Sequence, residues 1–387
     1  FPYTTLFRSW EKINSNFGTV ESLKQLIDAC HKMDMLVMVD VVANHVAPVD
    51  MDFSSINPFN KPEHYHTKCD ITDWDNQYQM EYCRLLDLPD LNQTNAFVRP
   101  YLVDWIRRHT TDYDFDGIRI DTVPHVEKPF WTEYTQAGGV FSIGEVFKNN
   151  ETYIADYQNY MDSTLNYPMW YTIRDVWGNG QSMKQIPERW ARIKKNFKDP
   201  TVLGLFLDNH DNARFLNSSV DMKLFKASLA FTLTGQGIPM MYYGTEQAYA
   251  GGPDPNNREP LWTNFDNKSE MYLFVKTINS ARKAQKSNLG QFEEKWVDDN
   301  MYVYTKGRLL VALTNKLHGT FSLGVPVGNT FDEGEILCNI FNPTQCAKIV
   351  KGNLFVSLHN GDIQIFIPKS STFFASNELT SLETSRD

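Results

Sequence analysis

From Ser22 to Gln285 the chain alternates between short, almost wholly apolar runs and longer amphipathic ones. SLKQLIDACHKM, NAFVRPYLVDWIRRHT, PFWTEYTQA, MKQIPERWARIKKN, DMKLFKASLAFTLT and SEMYLFVKTINSARKAQ carry the three-to-four-residue apolar spacing of helices. MLVMVDVV, FDGIRID, VFSIGEV, TVLGLFLDNH and IPMMYYG read as strands, and LNYPMWYTIRDVW reads as a strand running into a helix. A strand that is apolar on both faces needs cover on both. Six such strand–helix units therefore predict an α/β fold with a parallel sheet wrapped by helices, of the (β/α) barrel kind. The segment 47–92 interrupts the alternation as a long, polar, aromatic excursion without a clear period.

The pattern changes after residue 285. FEEKWVDD, MYVYTKG, LLVALTN, FSLGV, EILCNI, AKIVKG, LFVSL and IQIFIP are short β runs between Gly, Asn and Asp turns. They predict an antiparallel β-sandwich over 286–368. Residues 369–387 are rich in Ser, Thr and Glu and are expected to be disordered.

With 47 acidic against 37 basic residues the formal charge is −10, which argues against a nucleic-acid partner. No apolar stretch approaches the roughly 18 residues of a membrane span, and no signal peptide is visible. Cys30 lies in a helical pattern and reads as a buried free thiol. Cys69 and Cys83 flank a polar loop, and Cys338 and Cys346 flank a turn at Asn342-Pro343. Two short-range pairs plus one odd thiol fit an oxidising compartment; five reduced cysteines are the alternative.

In a parallel barrel the chemistry gathers where strands end. MVDVVANH puts Asp40, Asn44 and His45 there; FDGIRIDTVPH puts Arg119, Asp121 and His125; FSIGEV puts Glu145; FLDNHD puts Asn209, His210 and Asp211. Taken singly, each has a plain structural reading: an Arg–Asp tie at the rim, an acid in a helix first turn, turn-forming Asn and Asp. Three acids on three strand ends are another matter. Like charges brought close raise one another's pKa, so that one carboxyl stays protonated while another ionises.

This constellation resembles glycoside hydrolase family 13, and most closely its secreted α-amylases of fungal type. The resemblance runs from Trp10 to Pro368. The four segments match the four signature regions of the family in order, and LPDLN at 88–92 matches a fifth. It implies Asp121 as nucleophile, Glu145 as general acid/base and Asp211 as the third acid, with Arg119 holding Asp121 ionised. His45, His210, Asp254 and Arg258 would contact the sugar. A structural Ca²⁺ would take side-chain oxygens from Asn44 and Asp90 and backbone carbonyls from Glu81 and His125, all-oxygen ligation that suits the ion. Cys69 and Cys83 match a family disulfide. A zinc site at His64, His66 and Cys69 is the rival reading there.

The resemblance implies a secreted, monomeric enzyme that hydrolyses internal α-1,4 bonds of starch- or glycogen-type glucans. An α-glucosidase or transglycosylase of the same family, or a non-catalytic glucan-binding homologue, is the alternative. Sequons at Asn92, Asn150, Asn217 and Asn267 are compatible with secretion. Pro124 stands where the family usually has Lys, and Ala155 stands near a missing family cysteine. The match begins at the third barrel strand, so the expected architecture is a (β/α)8 TIM barrel without its first two strands. A catalytic segment at 10–285 then precedes the sandwich. Residues 1–9, FPYTTLFRS, do not resemble the family and read as the in-frame translation of a sequencing adapter. A chain of this kind is expected to fold poorly and to have little activity.

Overall fold

Thr19 starts the first helix with a reciprocal cap. Its hydroxyl accepts from the Ser22 amide at 3.2 Å, and Ser22 Oγ accepts from the Thr19 amide at 2.8 Å. Helix α1 (Val20–Lys32) leads to strand β1 (Met38–Val41). There follow α2 (Gln77–Tyr82), α3 (Val98–Tyr113), β2 (Gly117–Ile120), α4 (Lys128–Gly138), β3 (Phe141–Gly144), α5 (Glu151–Tyr157) and β4 (Ser163–Thr164). The computed structural model describes residues 8–218, 221–287 and 290–374; most of the expected foreign segment 1–9 and most of the expected tail lie outside the described residues.

The described residues fall into two compact units, 8–167 with Asn196–Lys198, and Pro168–Lys195 with the described residues from Asp199 to 374. In the first, β1 to β4 make one parallel sheet in sequence order. β1 is shorter than the apolar run that predicted it and less covered: it is an edge strand, and Met38 is 42% exposed. Cys30 is free but only half-buried, because Ile27 is the residue that α1 buries fully.

After β3 the chain departs from expectation. The strand lies ahead of LNYPMWYTIRDVW, at Ser163–Thr164, and that segment is helical: α6 (Tyr167–Ile173) passes into a π-helical turn at Arg174–Gly178. Pro168 explains the change, since it has no N–H for a ladder yet fits the first turn of a helix. Then come α7 (Gln185–Asn196), β5 (Gly204–Phe206), α8 (Phe215–Ser218), α9 (Met222–Thr234), β6 (Ile238–Met240) and α10 (Glu270–Ala284). β5 and β6 pair in parallel. Gly237 is required before β6: its φ is +113°, and a Cβ there would sit against the Leu203 carbonyl.

The second unit also holds β7 (Phe292–Val297), β8 (Met301–Lys306), β9 (Leu309–Thr314), β10 (Thr320–Pro326), β11 (Ile336–Asn339), β12 (Asn342–Lys348), β13 (Asn353–His359) and β14 (Gln364–Pro368). An antiparallel sheet in the order β12-β11-β14-β9-β8-β7 faces the β10–β13 pair. Met301, Val303, Leu310 and Ala312 pack there against Val325, Leu354 and Val356. The other face of β8 turns Tyr302 and Tyr304 to Phe231 of α9. The hydroxyls of Thr234 and Tyr304 meet at 2.6 Å. Cover on both faces is why every residue of β8 and β9 is buried.

Two further expectations need correction. Asn342-Pro343 is not a turn but the start of β12, an edge strand, where proline is tolerated. Residues 369–374 are packed rather than disordered: the Lys369 amide donates to the Ile336 carbonyl at 2.9 Å, and Phe373 is buried.

Candidate active site

In the first unit, register builds the site. Asp40 on β1 is the Cα partner of Arg119 on β2, and Arg119 is the partner of Ile143 on β3. Side chains two apart on a strand share a face, so Arg119 and Asp121 point the same way. The Asp121 amide donates to Val41 and the Glu145 amide to Ile120, at 2.9 and 2.8 Å, which holds both acids one residue beyond their strands. Gly144 sets the approach of Glu145: a Cβ there would collide with Met161 Sδ and lie 2.9 Å from Val123 Cγ2.

The Arg119 guanidinium is the hub. It lies 2.6 Å from Asp121, 2.9 Å from Asp40 and 3.3 Å from Glu145. The side chains of Asp121 and Glu145 are 20% and 10% exposed, whereas Asp40 is 56% exposed, so the first two depend most on this cation. Burial pushes the Asp121 carboxyl up, but Arg119, His45 and a hydrogen bond from Glu145 outweigh it and hold Asp121 below the usual carboxylate range. Glu145 also accepts from the Thr122 amide at 3.2 Å and from the Tyr167 hydroxyl at 3.4 Å. Tyr167 and the Thr122 amide were not anticipated from the sequence.

Next to this hub, Asn44 and His45 follow β1. The LPDLN segment lies antiparallel to them: the Leu91 amide donates to Asn44 O at 2.8 Å, and Val46 donates to Pro89 O at 3.2 Å. One terminal atom of the Asn44 amide lies 2.7 Å from Asp90 Oδ1 and 2.8 Å from the His125 carbonyl. Asp90 also meets His66 Nδ1 at 2.6 Å, and burial pushes its carboxyl up to about 7. Burial likewise holds the His125 imidazole down to about 4, with Nδ1 placed 3.1 Å from the Met80 carbonyl, one residue before Glu81. Among the described residues no three His, Cys, Asp or Glu side chains gather as a metal cluster. The set at Asn44 is of another kind, an amide, a carboxylate and a backbone carbonyl, and hard oxygens of this type fit Ca²⁺.

The zinc alternative fails. Cys69 is bonded to Cys83, with Cα atoms 4.8 Å apart, and Cys338 is bonded to Cys346. The Cys69–Cys83 bond clips the excursion that carries Asp90. Replacing both cysteines by Ser is expected to lower stability by about 3 kcal/mol in the chain-entropy picture. An unchanged urea midpoint would show that the clip carries no stability.

In the second unit, Asp211 follows β5. Its carboxylate lies 3.3 Å from His210 Nε2 and 3.6 Å from Arg258. Arg258 Nε is 3.0 Å from Asp254 and donates to the His210 carbonyl at 3.1 Å. Asn257, between the two members of that pair, donates to the carbonyls of His210 and Asn212 at 2.8 and 2.9 Å, a tether missed in the sequence although it lies within GGPDPNNRE. The neighbouring Asp208 is buried, which raises its pKa, and accepts from the Phe215 amide at 2.6 Å. It anchors the turn.

These features can be set beside known proteins. The family described as "Alpha amylase, catalytic domain" matches residues 6–301. The chain is 36% identical over 373 residues to an alpha-amylase of Saccharomycopsis fibuligera, covering 92% of this chain and 75% of that protein. It is 32% identical to alpha-amylase 2 of Schwanniomyces occidentalis, covering 92% and 74%. Among solved structures, an alpha-amylase from Malbranchea cinnamomea superposes with a TM-score of 0.89 at 33% identity, covering 93% of this chain and 80% of that one. The chain belongs to the α-amylase family of glycoside hydrolases. Its fold is accordingly that of a TIM barrel followed by an antiparallel C-terminal domain.

Proposed function

We propose that the chain hydrolyses internal α-1,4-glucosidic bonds of starch- or glycogen-type glucans with retention at the anomeric carbon. The observation that carries this is the shared guanidinium: Arg119 lies 2.6 Å from Asp121 and 3.3 Å from Glu145, and it holds Asp121 below the usual carboxylate range. Close carboxyls suit retention, whereas inversion needs space for a water between them. Asp121 attacks the anomeric carbon as Glu145 gives its proton to the departing glycosidic oxygen. Glu145, now a carboxylate, takes a proton from water. The resulting hydroxide displaces Asp121 and leaves a hemiacetal of unchanged configuration.

Asp211 is the third acid, and its place in the fourth ordered motif supports this. His45, His210, Asp254 and Arg258 bind sugar. Asn44, Asp90 and the carbonyls of Glu81 and His125 would hold Ca²⁺, which supplies structural charge between loops and takes no part in bond cleavage. Two disulfides suit an oxidising compartment, and we infer secretion. No described helix is long and apolar enough to cross a membrane. A monomer acting on polysaccharide, without nucleic acid, is the working form.

Product analysis on soluble starch tests the reading. Mixed maltooligosaccharides of the α-configuration are expected early in the reaction. Glucose alone would favour an α-glucosidase, and binding without any hydrolysis would favour a non-catalytic homologue.

A further inference from the structure

Arg214 stands three residues past Asp211, immediately before α8, and its side chain is 0% exposed. A buried charge is costly unless it is paired. Nε donates to Glu259 Oε2 at 2.7 Å, while Nη1 and Nη2 have no oxygen partner among the described residues. Aromatic rings stand in for one: the guanidinium carbon lies 4.4 Å from the ring centre of Tyr242, 5.4 Å from that of Tyr243 and 5.3 Å from that of Tyr249. Ring faces attract a planar, weakly hydrated guanidinium, which an ammonium does not replace. An apolar side chain could fill the same space without the cost of burying a charge. It could not supply the aimed bond to Glu259.

That bond closes a loop. Glu259 Oε1 accepts from the Gly251 amide at 2.7 Å, and the Arg214 amide donates to the Gly251 carbonyl at 3.0 Å. Gly251 has no room for a side chain, since a Cβ there would lie 1.9 Å from the Asn256 carbonyl oxygen. Asn217 Nδ2 donates to the Ala250 carbonyl at 3.2 Å, and the Tyr249 hydroxyl donates to the Pro260 carbonyl at 3.2 Å. Both ends of the segment 251–259 are thus drawn to one carboxylate, and that carboxylate to one arginine. Asp254 and Arg258 lie on the segment between. We propose that Arg214 is a positioning residue for glucan binding: through Glu259 and the three tyrosines it holds the 251–259 loop so that Asp254 and Arg258 meet the sugar beside Asp211. This rests on the reading of that pair as sugar-binding given above.

The test is a double-mutant cycle on the full chain carrying Glu145→Gln, so that no sugar is consumed, with maltopentaose binding read by calorimetry. Arg214→Lys should weaken binding about 10-fold, the worth of one hydrogen bond to a charged group. Asp254→Ala with Arg258→Ala should weaken it at least as much. Adding Arg214→Lys to that pair should then change the affinity by no more than about twofold. Effects that multiply instead overturn the proposal, because Arg214 would be acting independently of the pair. With Glu145 intact, Arg214→Lys should raise KM and spare kcat, since the pair grips ground state and transition state alike; a loss confined to kcat overturns the proposal as well. Circular dichroism checks folding. Should Arg214→Lys not fold, Glu259→Gln takes its place in the cycle, because it cuts the same tie from a side chain that is 27% exposed. Failure of both to fold assigns the tie to stability alone and overturns the proposal. If Asp254→Ala with Arg258→Ala binds as tightly as its parent, the sugar-binding reading of that pair falls, and this inference with it.

Discussion

Glu145→Gln is expected to lower kcat on soluble starch by about 10²- to 10⁴-fold, the usual worth of a positioned acid/base. Gln is close in size, and its one amide oxygen can keep either the bond from the Thr122 amide or that from the Tyr167 hydroxyl, which reach different oxygens of Glu145, so binding of a maltooligosaccharide should survive. The double role gives a sharper signature than the loss itself. A substrate whose leaving group needs no proton, such as a glucosyl fluoride, should restore the first step. Hydrolysis of the covalent intermediate should then limit turnover and produce a burst. Added azide, a nucleophile that needs no base, should speed the second step and yield a glycosyl azide of retained configuration. Burst-free kinetics with no response to azide would remove Glu145 from the acid/base role.

Arg119→Met has the other large effect, and it reaches further than the reaction. The variant leaves Asp121 and Glu145 buried without their common cation. Breaking a buried pair from one side costs about 3–5 kcal/mol, which urea denaturation would read. The pH dependence follows from the sign of the Asp121 shift. A carboxyl held below its unfolded value contributes stability that is fully present above about pH 4 and is lost as pH falls through the lowered value. Without Arg119 that contribution disappears, burial pushes the carboxyl up, and the acidic limb of kcat/KM should move to higher pH. Arg119→Lys should recover part of the stability but not the rate, because one ammonium lacks the planar fork that reaches three carboxylates. An acidic limb that stays in place in both variants would separate Arg119 from Asp121.

Much of this site was legible because strand ends are marked in sequence. An acid one residue past an apolar run cannot hide in the run, so Asp121 and Glu145 stood out, while Asp211 was marked by its place at the end of FLDNHD. The reach of Arg119 did not. The tie to Asp121 follows from two-residue periodicity on one strand, but the ties to Asp40 and Glu145 depend on the register between β1, β2 and β3, which no local pattern encodes. Tyr167 was hidden for the reason that moved β4: Pro168 turned an apparent strand into a helix start. Helix α2, six residues long, is too short to display a period inside the 47–92 excursion. The clustering at Asn44 was anticipated by resemblance.

Helix α9 is apolar around most of its circumference, and the fold gives both flanks a use: β5 and β6 lie along it, and so does β9 of the C-terminal sheet. Shared insulation of this kind means the β-rich part is no detachable appendage. Trimming the chain before Phe292 would undress Phe231 and set the hydroxyl of Thr234 adrift from Tyr304, loosening the strand that delivers Asp211.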